Sequence, residues 1–418
     1  MVNLYIFNEA ARAAIYGIGT YIRELTATLK DSDINVCVVH LNFDKEAEKV
    51  GEAEEMGEIG NIRHLHIPSP ISWSKSLNFN RQRELYYKNV VYLLRLQIKD
   101  TENLVFHLNF HVSEKLPEEL KKAFDCRIVS AIHYFEWCLS LSGNITRLRK
   151  HLTSIGYEFN DKMKSVVESC QKEKKCFEFV DHIICLSENS RQILQNDYQI
   201  KSDKISVIYN GLSGNESIQN KQLLRKIYNV PDMPIILFAG RLDDIKGLSF
   251  ALQAFKKVLK MQENGHFIIA GNGLFDTYMK ECEDIWTHVT WTGLINRDKL
   301  YDLYSIADIG IMPSFHEQCS FVAIEMMMHG IPLISSTSTG LKEMIIDRET
   351  GLHIPVIEYD DRAEIDTELL AEKMLYLLQH PDERKRMGTN ARKRYETVYS
   401  AEIFRQNMLD FYRSILKY

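Results

Sequence analysis

Two glutamates, Glu317 and Glu325, stand eight positions apart in the stretch HEQCSFVAIE, with mostly apolar residues between them. The preceding run IGIMPS predicts a strand, so Glu317 falls in the loop at the strand's carboxyl end, where open α/β sheets bind ligands. Ser320 is a suitable N-cap for a helix from Phe321 to about His329. The two carboxylates could then accept hydrogen bonds from sugar or ribose hydroxyls. The alternative is one dipole-stabilising and one surface glutamate.

A second candidate site lies in FAGRLDDIKGLSFALQAF, residues 238–255. A strand is expected to end at Gly240 and a helix to follow Gly247, with Arg241 and Lys246 in the loop between them. A guanidinium fork and an ammonium point charge together suit a diphosphate. The alternative is a pair of surface cations, although cations at a helix N-terminus oppose the helix dipole unless an anion joins them.

The N-terminal part of the chain carries weaker signals of a binding site. Gly17 and Gly19 in YGIGTYIREL lie between the first predicted strand and helix, where glycine lets the backbone approach a phosphate. The third glycine of a dinucleotide fingerprint is missing, and NAD is therefore not expected. His107, His111 and His133 end apolar strands, and His133 has the best position for a functional role.

Composition limits the class of protein. The 418 residues are 45% hydrophobic and 26% charged, with a net charge of −6, which argues against a dedicated nucleic-acid binder. The N-terminus does not resemble a signal peptide, and no apolar run is long enough to span a membrane. Eight scattered cysteines without a C-x-x-C pair favour reduced thiols in a cytoplasmic protein, and no metal-ligand spacing is present.

Apolar strand patterns alternate with helical ones along the chain, which predicts doubly wound α/β layers. We expect two Rossmann-like domains facing each other across a cleft. The predicted boundaries give a first domain at 1–212, a second at 213–395, and a C-terminal helix at 396–418 that packs back toward the first domain. Residues 138–177 are expected to form a mildly basic helical segment. We interpret this segment either as a solvated crossover or as an element that docks the acceptor or contacts a membrane surface.

These stretches resemble the retaining GT-B glycosyltransferases of the glycosyl transferases group 1, family 4 type. The resemblance covers nearly the whole chain and is strongest from about 181 to 355. The motifs stand in the family's order: DHIICLSENSRQIL, KISVIYNG, ILFAGRLDDIKGLSFALQAF, IIAGNG, TGLINRDKLYDLYSIADIGIMPS and HEQCSFVAIEMMMHGIPLISSTSTGLKEMIIDRETG. The pair Glu317 and Glu325 meets the E-x7-E pattern.

The resemblance implies a nucleotide-sugar donor bound mainly on the second domain. Arg241 and Lys246 would hold the diphosphate, Glu317 the donor sugar and Glu325 the ribose. Amides in the helix-start segment would face sugar hydroxyls and phosphate, and they belong to Cys319, Ser320, Phe321 and Val322.

In the first domain, the resemblance implies that Gly17 and Gly19 approach the diphosphate and that His133 lies near the reacting sugar. The family often has an acidic residue directly after that histidine, whereas Tyr134 follows here. The opening YIFNEAARAAIYGIGTYIREL is similar to a Bacteroidetes subgroup, some of whose members are associated with peptide maturation, which points to a peptide acceptor.

The resulting expectation is a retaining hexosyltransferase, independent of metal and of any cofactor besides its nucleotide-sugar co-substrate, with a UDP-sugar favoured. The acceptor would be a glycan, a lipid-linked molecule or a peptide, with no nucleic-acid partner. The expected location is cytoplasmic, and a peripheral contact with the inner membrane surface stays open. The alternatives are a GT-B nucleotide-sugar epimerase and a non-catalytic partner subunit.

Overall fold

The structure is a computed structural model, and it describes residues 1–9, 17–43, 62–68, 79–109, 114–153, 161–214, 220–230, 233–261 and 264–416. Contacts divide the chain into two compact units. The first contains residues 1–133, 163–211 and 401–418, and the second contains residues 134–162 and 212–400.

The first unit is built on a parallel seven-stranded sheet with the order β3-β2-β1-β4-β5-β6-β7. Its central strands are almost continuously apolar because both faces of the sheet are covered. The strands are β1 (Val2–Glu9), β2 (Ile34–Phe43), β3 (Arg63–Pro68), β4 (Leu104–Leu108), β5 (Cys126–Ile132), β6 (His182–Cys185) and β7 (Ile205–Val207).

Helices accompany these strands along the chain. They are α1 (Gly17–Leu29), α2 (Phe79–Gln97), α3 (Lys115–Ala123), α4 (Glu136–Leu141), α5 (Ile145–Thr153), α6 (Asp161–Glu178) and α7 (Glu188–Asn196). Of these, α4 and α5 belong to the second unit.

The second unit is built on a parallel six-stranded sheet with the order β10-β9-β8-β11-β12-β13, and a separate antiparallel hairpin, β14-β15. The sheet strands are β8 (Ile235–Ala239), β9 (His266–Ala270), β10 (Val289–Gly293), β11 (Ile309–Met312), β12 (Leu333–Ser336) and β13 (Gly351–Ile354). The hairpin strands are β14 (Val356–Glu358) and β15 (Ala363–Ile365). These two sheets confirm the predicted class of two Rossmann-like layers.

The remaining helices follow residue 220, and all of them except α16 belong to the second unit. They are α8 (Lys221–Ile227), α9 (Leu248–Met261), α10 (Phe275–Glu281), α11 (Arg297–Ile306), α12 (Phe321–Met328), α13 (Leu341–Met344), α14 (Thr367–Gln379), α15 (Pro381–Arg394) and α16 (Ala401–Ser414). None of the helices in the described ranges combines the length and the apolar character needed to cross a membrane.

The C-terminal helix α16 belongs to the first unit. The hydroxyl of Tyr412 lies 2.6 Å from Nδ1 of His107, and both side chains are fully buried. At the surface, Arg413 pairs with Asp33 at 2.8 Å. Apolar side chains of α16 therefore pack on the first sheet and on α1, where the ring of Phe404 lies 5.8 Å from that of Tyr21. The segment that belongs to the first unit begins at 401 rather than at the predicted 396.

The segment 134–162 differs from the predicted division, because it groups with the second unit instead of the first. The amide of Asn144 donates to the carbonyls of Tyr359 and Arg362, at 2.8 and 3.1 Å. The Glu358 carboxylate accepts from the N–H groups of Ile145 and Thr146, at 3.3 and 3.1 Å, and so caps the start of α5. These contacts join α5 to the β14-β15 hairpin. Sequence periodicity carries no information about such pairing across two hundred residues.

Candidate functional site

The loop after β8 carries the two predicted cations. Nη2 of Arg241 lies 3.2 Å from Oδ2 of Asp243, and the arginine side chain is 40% exposed. Residues Asp244–Lys246 form one turn of 3-10 helix, and Gly247 follows with φ of +68°. A Cβ at Gly247 would lie only 2.2 Å from the carbonyl oxygen of Pro313. Glycine therefore lets this loop pack against the segment that follows β11.

That packing brings Lys246 to Glu317. Nζ of Lys246 lies 2.5 Å from Oε1 of Glu317, and the two side chains are only 18% and 12% exposed. Two predicted site residues, 71 positions apart in sequence, thus form a largely buried ion pair. Removing one partner of such a pair leaves a buried charge uncompensated, which costs about 3–5 kcal/mol in typical cases.

The backbone of Glu317 is fixed by the turn after β12. Its N–H donates to the hydroxyl oxygen of Thr339 at 3.0 Å, and its carbonyl accepts from that hydroxyl and from the N–H of Gly340 at 2.8 Å. A Cβ at Gly340 would lie 1.6 Å from the carbonyl oxygen of Gln318. Only glycine therefore permits this close contact, which holds the loop that carries Glu317.

The helix α12 begins where the sequence predicted. Ser320 is its N-cap, and the serine hydroxyl accepts from the N–H of Ala323 at 3.4 Å. The first-turn amides of Phe321 and Val322 lie at the helix end that favours an anion. Cys319 is buried beneath this end, with 5% of its surface exposed. The predicted segment 319–322 thus forms the start of α12 directly after the loop that carries Glu317.

Glu325 lies inside α12, where 8% of its surface is exposed. The hydroxyl of Tyr304 donates to its Oε2 at 2.8 Å, and burial keeps the pKa of Tyr304 well above its ordinary value, so the phenol remains a donor. The ring of His329 packs against Tyr304 with centroids 5.3 Å apart. The surface alternative for Glu325 is excluded by this burial. Sequence reasoning missed Tyr304, because nothing in the pattern of α11 marks it as a partner of α12.

His316 occupies a buried position directly before Glu317, with 7% of its surface exposed. Burial lowers its pKa to about 4, so the ring is neutral at physiological pH. Its centroid lies 6.3 Å from that of Trp137 in α4. A Cβ at Gly143 would clash with the Phe315 carbonyl at 2.4 Å. The turn after α4 therefore forms part of the wall behind the glutamate loop.

In the loops after β8 and β11, the charges of the two cations are balanced by neighbouring carboxylates. Burial raises the pKa of Asp243, and the nearby charges of Arg241 and Lys246 oppose that shift. Arg241 has a carboxylate neighbour in Asp243, and Lys246 has one in Glu317. An arriving dianionic group could draw both cations toward itself, because each cation sits on a flexible side chain at the edge of the sheet.

In the first unit, His133 directly follows β5. Its Nε2 lies 3.0 Å from Oδ1 of Asn109, and Nδ2 of Asn109 donates to the carbonyl of Phe7 at 3.1 Å. That second bond fixes the amide orientation, so the amide oxygen faces the histidine and Nε2 must carry the proton. Asn109 is 1% exposed. Asn109 was not predicted; its place after a buried strand, two residues beyond His107, was the available signal.

The remaining first-unit predictions have mixed outcomes. Gly17 and Gly19 lie in the first turn of α1, not in a loop ahead of it as predicted, because the helix begins at Gly17. A Cβ at Gly17 would meet nothing within 4 Å. His107 is fully buried, and burial lowers its pKa to about 3. His111 lies outside the described residues.

No cluster of three or more His, Cys, Asp or Glu side chains that could hold a metal occurs in the described part of the chain. All eight cysteines are buried as free thiols. Among the predicted donor-site residues of the second unit, the groups suited to an anionic ligand are the Arg241 and Lys246 side chains and the start of α12.

The close contact at Gly340 gives a stability prediction. Gly340→Ala forces a methyl group into the Gln318 carbonyl, so we expect the free energy of unfolding to fall by about 1–3 kcal/mol. Gly265→Ala is the matched control, since a Cβ there would sit 3.6 Å from the Phe255 ring in ordinary contact. Thermal melting of both variants checks this. Equal melting temperatures for the two would show that the loop is not held as described.

The family Glycosyltransferase Family 4 matches residues 15–213, and the family Glycosyl transferases group 1 matches residues 220–394. An uncharacterized glycosyltransferase of Methanocaldococcus jannaschii is 31% identical over 199 residues, which are 46% of this chain. The match spans about half of that relative, 48% of its length.

Solved structures share the architecture over the whole chain. Sucrose-phosphate synthase from Thermosynechococcus elongatus superimposes with a TM-score of 0.74 at 19% identity, covering 100% of both chains. Anabaena HepE in complex with UDP-glucose gives a TM-score of 0.68 at 13% identity, covering 99% of this chain and 100% of that one. The solved structures show the GT-B fold, and the two family matches over residues 15–213 and 220–394 show that the protein belongs to the group 1, family 4 type of glycosyltransferases.

Proposed function

We propose that the protein is a retaining hexosyltransferase that moves a sugar from a nucleotide-diphosphate donor to an acceptor hydroxyl without a metal ion. The observation that carries this proposal is the buried Lys246–Glu317 pair, 2.5 Å long, beside the start of α12. The loops after β8 and β11 then present a cation, a carboxylate and helix-end amides together. This set matches a ligand that combines phosphate with hydroxyl groups.

The diphosphate would be held by the two cations. On donor binding, Lys246 exchanges part of its contact with Glu317 for a phosphate oxygen, and Arg241 does the same from Asp243. The amides of Phe321 and Val322, at the positive end of α12, add further donors. Negative charge builds on the diphosphate as the sugar departs, and preorganised donors that meet such charge are usually the largest catalytic contribution.

The two glutamates would hold the two ends of the donor. Glu317, released from Lys246, accepts from hydroxyls of the donor sugar. Glu325 accepts from the ribose through the carboxylate that Tyr304 orients. Because Thr339 and Gly340 fix the backbone of Glu317, its carboxylate can change partner while its position in the loop stays the same.

First-unit residues would act on the sugar and phosphate from their own sheet. Asn109 holds His133 in the tautomer that is protonated on Nε2, which leaves the lone pair on Nδ1. That nitrogen would accept a hydrogen bond from a sugar hydroxyl. Gly17 and Gly19, in the first turn of α1, would present backbone amides to the diphosphate.

In the transfer step, the bond between the anomeric carbon and the diphosphate oxygen breaks. A bond to the acceptor oxygen forms on the same face of the sugar. The acceptor's proton passes to the departing phosphate oxygen, so no protein base is required. Retention and this front-face route are inferred from the family resemblance.

UDP is the donor nucleotide that we favour, on the frequency of UDP-sugars among donors, and the complex of HepE with UDP-glucose supports the same choice. For the acceptor we propose a glycan, a lipid-linked molecule or a peptide, with the enzyme acting in the cytoplasm. The alternatives of a nucleotide-sugar epimerase and a non-catalytic partner subunit gain no specific support from the site.

Removing the central pair tests the site. We expect Lys246→Ala and Glu317→Ala each to lower the transfer rate by about 10²-fold or more, equivalent to about 2.7 kcal/mol or more of lost transition-state stabilisation. Steady-state transfer assays measure this. Near-wild-type activity in both variants would contradict the site assignment.

Two controls accompany these variants. Lys256→Ala removes a lysine of similar partial burial whose partner, Asp284 at 2.6 Å, lies outside the proposed site, and it should keep wild-type activity. Thermal melting of every variant separates loss of chemistry from loss of fold, because an unpaired buried charge lowers stability by itself.

A panel of UDP-, GDP- and ADP-sugars tests the donor class. A ligand that binds only the folded state raises the melting temperature, because at a free concentration L it stabilises that state by RT ln(1 + L/Kd), about 2.7 kcal/mol at one hundred times the dissociation constant. We expect stabilisation by UDP-sugars and none by the others. Stabilisation by GDP- or ADP-sugars would assign the donor to that nucleotide class instead. No response to any of the three classes would favour the partner-subunit alternative.

A further inference from the structure

The outward face of α2 carries exposed apolar residues that the proposed site does not use. Leu85, Tyr92 and Leu96 are 47%, 65% and 53% exposed. Their spacing of seven and four positions puts them on one side of the helix. The opposite side packs into the core of the first unit through Tyr86, Tyr87, Val90, Val91 and Leu94. An amphipathic helix normally leaves only polar groups outside, so this outer stripe is unusual.

Cations alternate with these apolar residues along the same stripe. Three exposed basic residues of α2 lie at intervals of seven positions, namely Arg81, Lys88 and Arg95, and the exposed Lys99 follows two residues after the helix ends. Residues 81–99 contain five basic side chains and one acidic one, Glu84, in a chain whose net charge is −6. Glu84 is exposed and interacts electrostatically with Lys115 of α3. The local charge is therefore opposite in sign to that of the whole molecule.

The segment that the sequence had suggested for membrane contact fits this role less well. In α5, the guanidinium of Arg147 donates to the carbonyl of Asp361 at 2.8 Å, and Lys150 pairs with Asp360 at 2.6 Å. These cations serve the junction between α5 and the β14-β15 hairpin. The stripe on α2 is the better candidate.

We propose that the α2 stripe, residues 81–99, docks the protein on an anionic lipid surface. Basic residues interleaved with leucine and tyrosine are the composition of helices that lie in the membrane interface, with cations at the headgroups and apolar side chains below them. A second copy of the chain is disfavoured, because a two-fold contact through this stripe would bring cations against cations. Nucleic acid would pair with the cations but leave Leu85 and Leu96 in water.

This inference does not depend on the proposed transfer reaction, and its test needs no substrate. The full chain is mixed with vesicles of phosphatidylcholine alone or with about one third phosphatidylglycerol, and the bound fraction is measured by co-sedimentation. We expect binding only to the anionic vesicles, and we expect that binding to weaken as salt is raised. Equal binding to both vesicles, or binding to neither, would overturn the proposal.

Two pairs of variants separate the charges from the apolar residues. Arg81→Glu with Lys88→Glu should weaken binding to anionic vesicles at least about tenfold, since two attractions become repulsions. Tyr92→Ser with Leu96→Ser should also weaken it several-fold while the salt dependence remains. Retained binding in both double variants would assign the contact to another surface.

Matched controls use exposed residues of the second unit. Lys385→Glu with Lys393→Glu on α15 makes the same charge change, and Leu223→Ser with Ile227→Ser on α8 removes similarly exposed apolar side chains. Both should bind vesicles like the wild type. A loss equal to that of the α2 variants would mean that net charge or general hydrophobicity governs binding, and the assignment to α2 would fall. Melting curves confirm that each variant is folded.

Discussion

The ion pair between Lys246 and Glu317 is the constraint on which the second unit's site depends. Its two partners come from loops after different strands, so the pair exists only because both loops approach closely. Gly247 permits one approach and Gly340 the other, each where a Cβ would collide with a carbonyl oxygen. The pair is mostly buried, and such a pair is weak evidence of stability for its own sake. A functional role explains better why two charges are kept in this place.

The same arrangement links the fold to the proposed chemistry. Parallel strands place their carboxyl ends at one edge of a sheet, and the loops that follow β8 and β11 therefore meet there. The helix α12 begins at that edge with Ser320 as its cap, and this puts helix-end amides beside the ion pair. In the proposed reaction, Lys246 and Glu317 neutralise each other until a phosphate and a sugar would offer each a different partner. A site of this kind is held ready without an unpaired buried charge.

Much of the fold and of the candidate site could be predicted from the sequence. Continuous apolar runs marked the buried strands, and the serine-led pattern marked the start of α12, because both signals are local. The limits appear wherever a contact joins distant segments. The bond from Tyr304 to Glu325, the orientation of His133 by Asn109 and the docking of α5 on the β14-β15 hairpin depend on tertiary packing. The start of α1 was predicted to follow Gly17 and Gly19, whereas the helix begins at Gly17, since glycine-rich helix starts carry weak boundary signals.

Calorimetric titration of UDP, without a sugar, into the wild type, Lys246→Ala and Glu317→Gln tests the central claim most directly. Because Lys246 would be shared between Glu317 and the diphosphate, the two variants should act in opposite directions. We predict that Lys246→Ala weakens UDP binding by about tenfold or more, while Glu317→Gln leaves the affinity unchanged or raises it. Equal weakening by both variants would show that Glu317 supports the loop rather than exchanging partners. Unchanged affinity in Lys246→Ala would remove the diphosphate from this site.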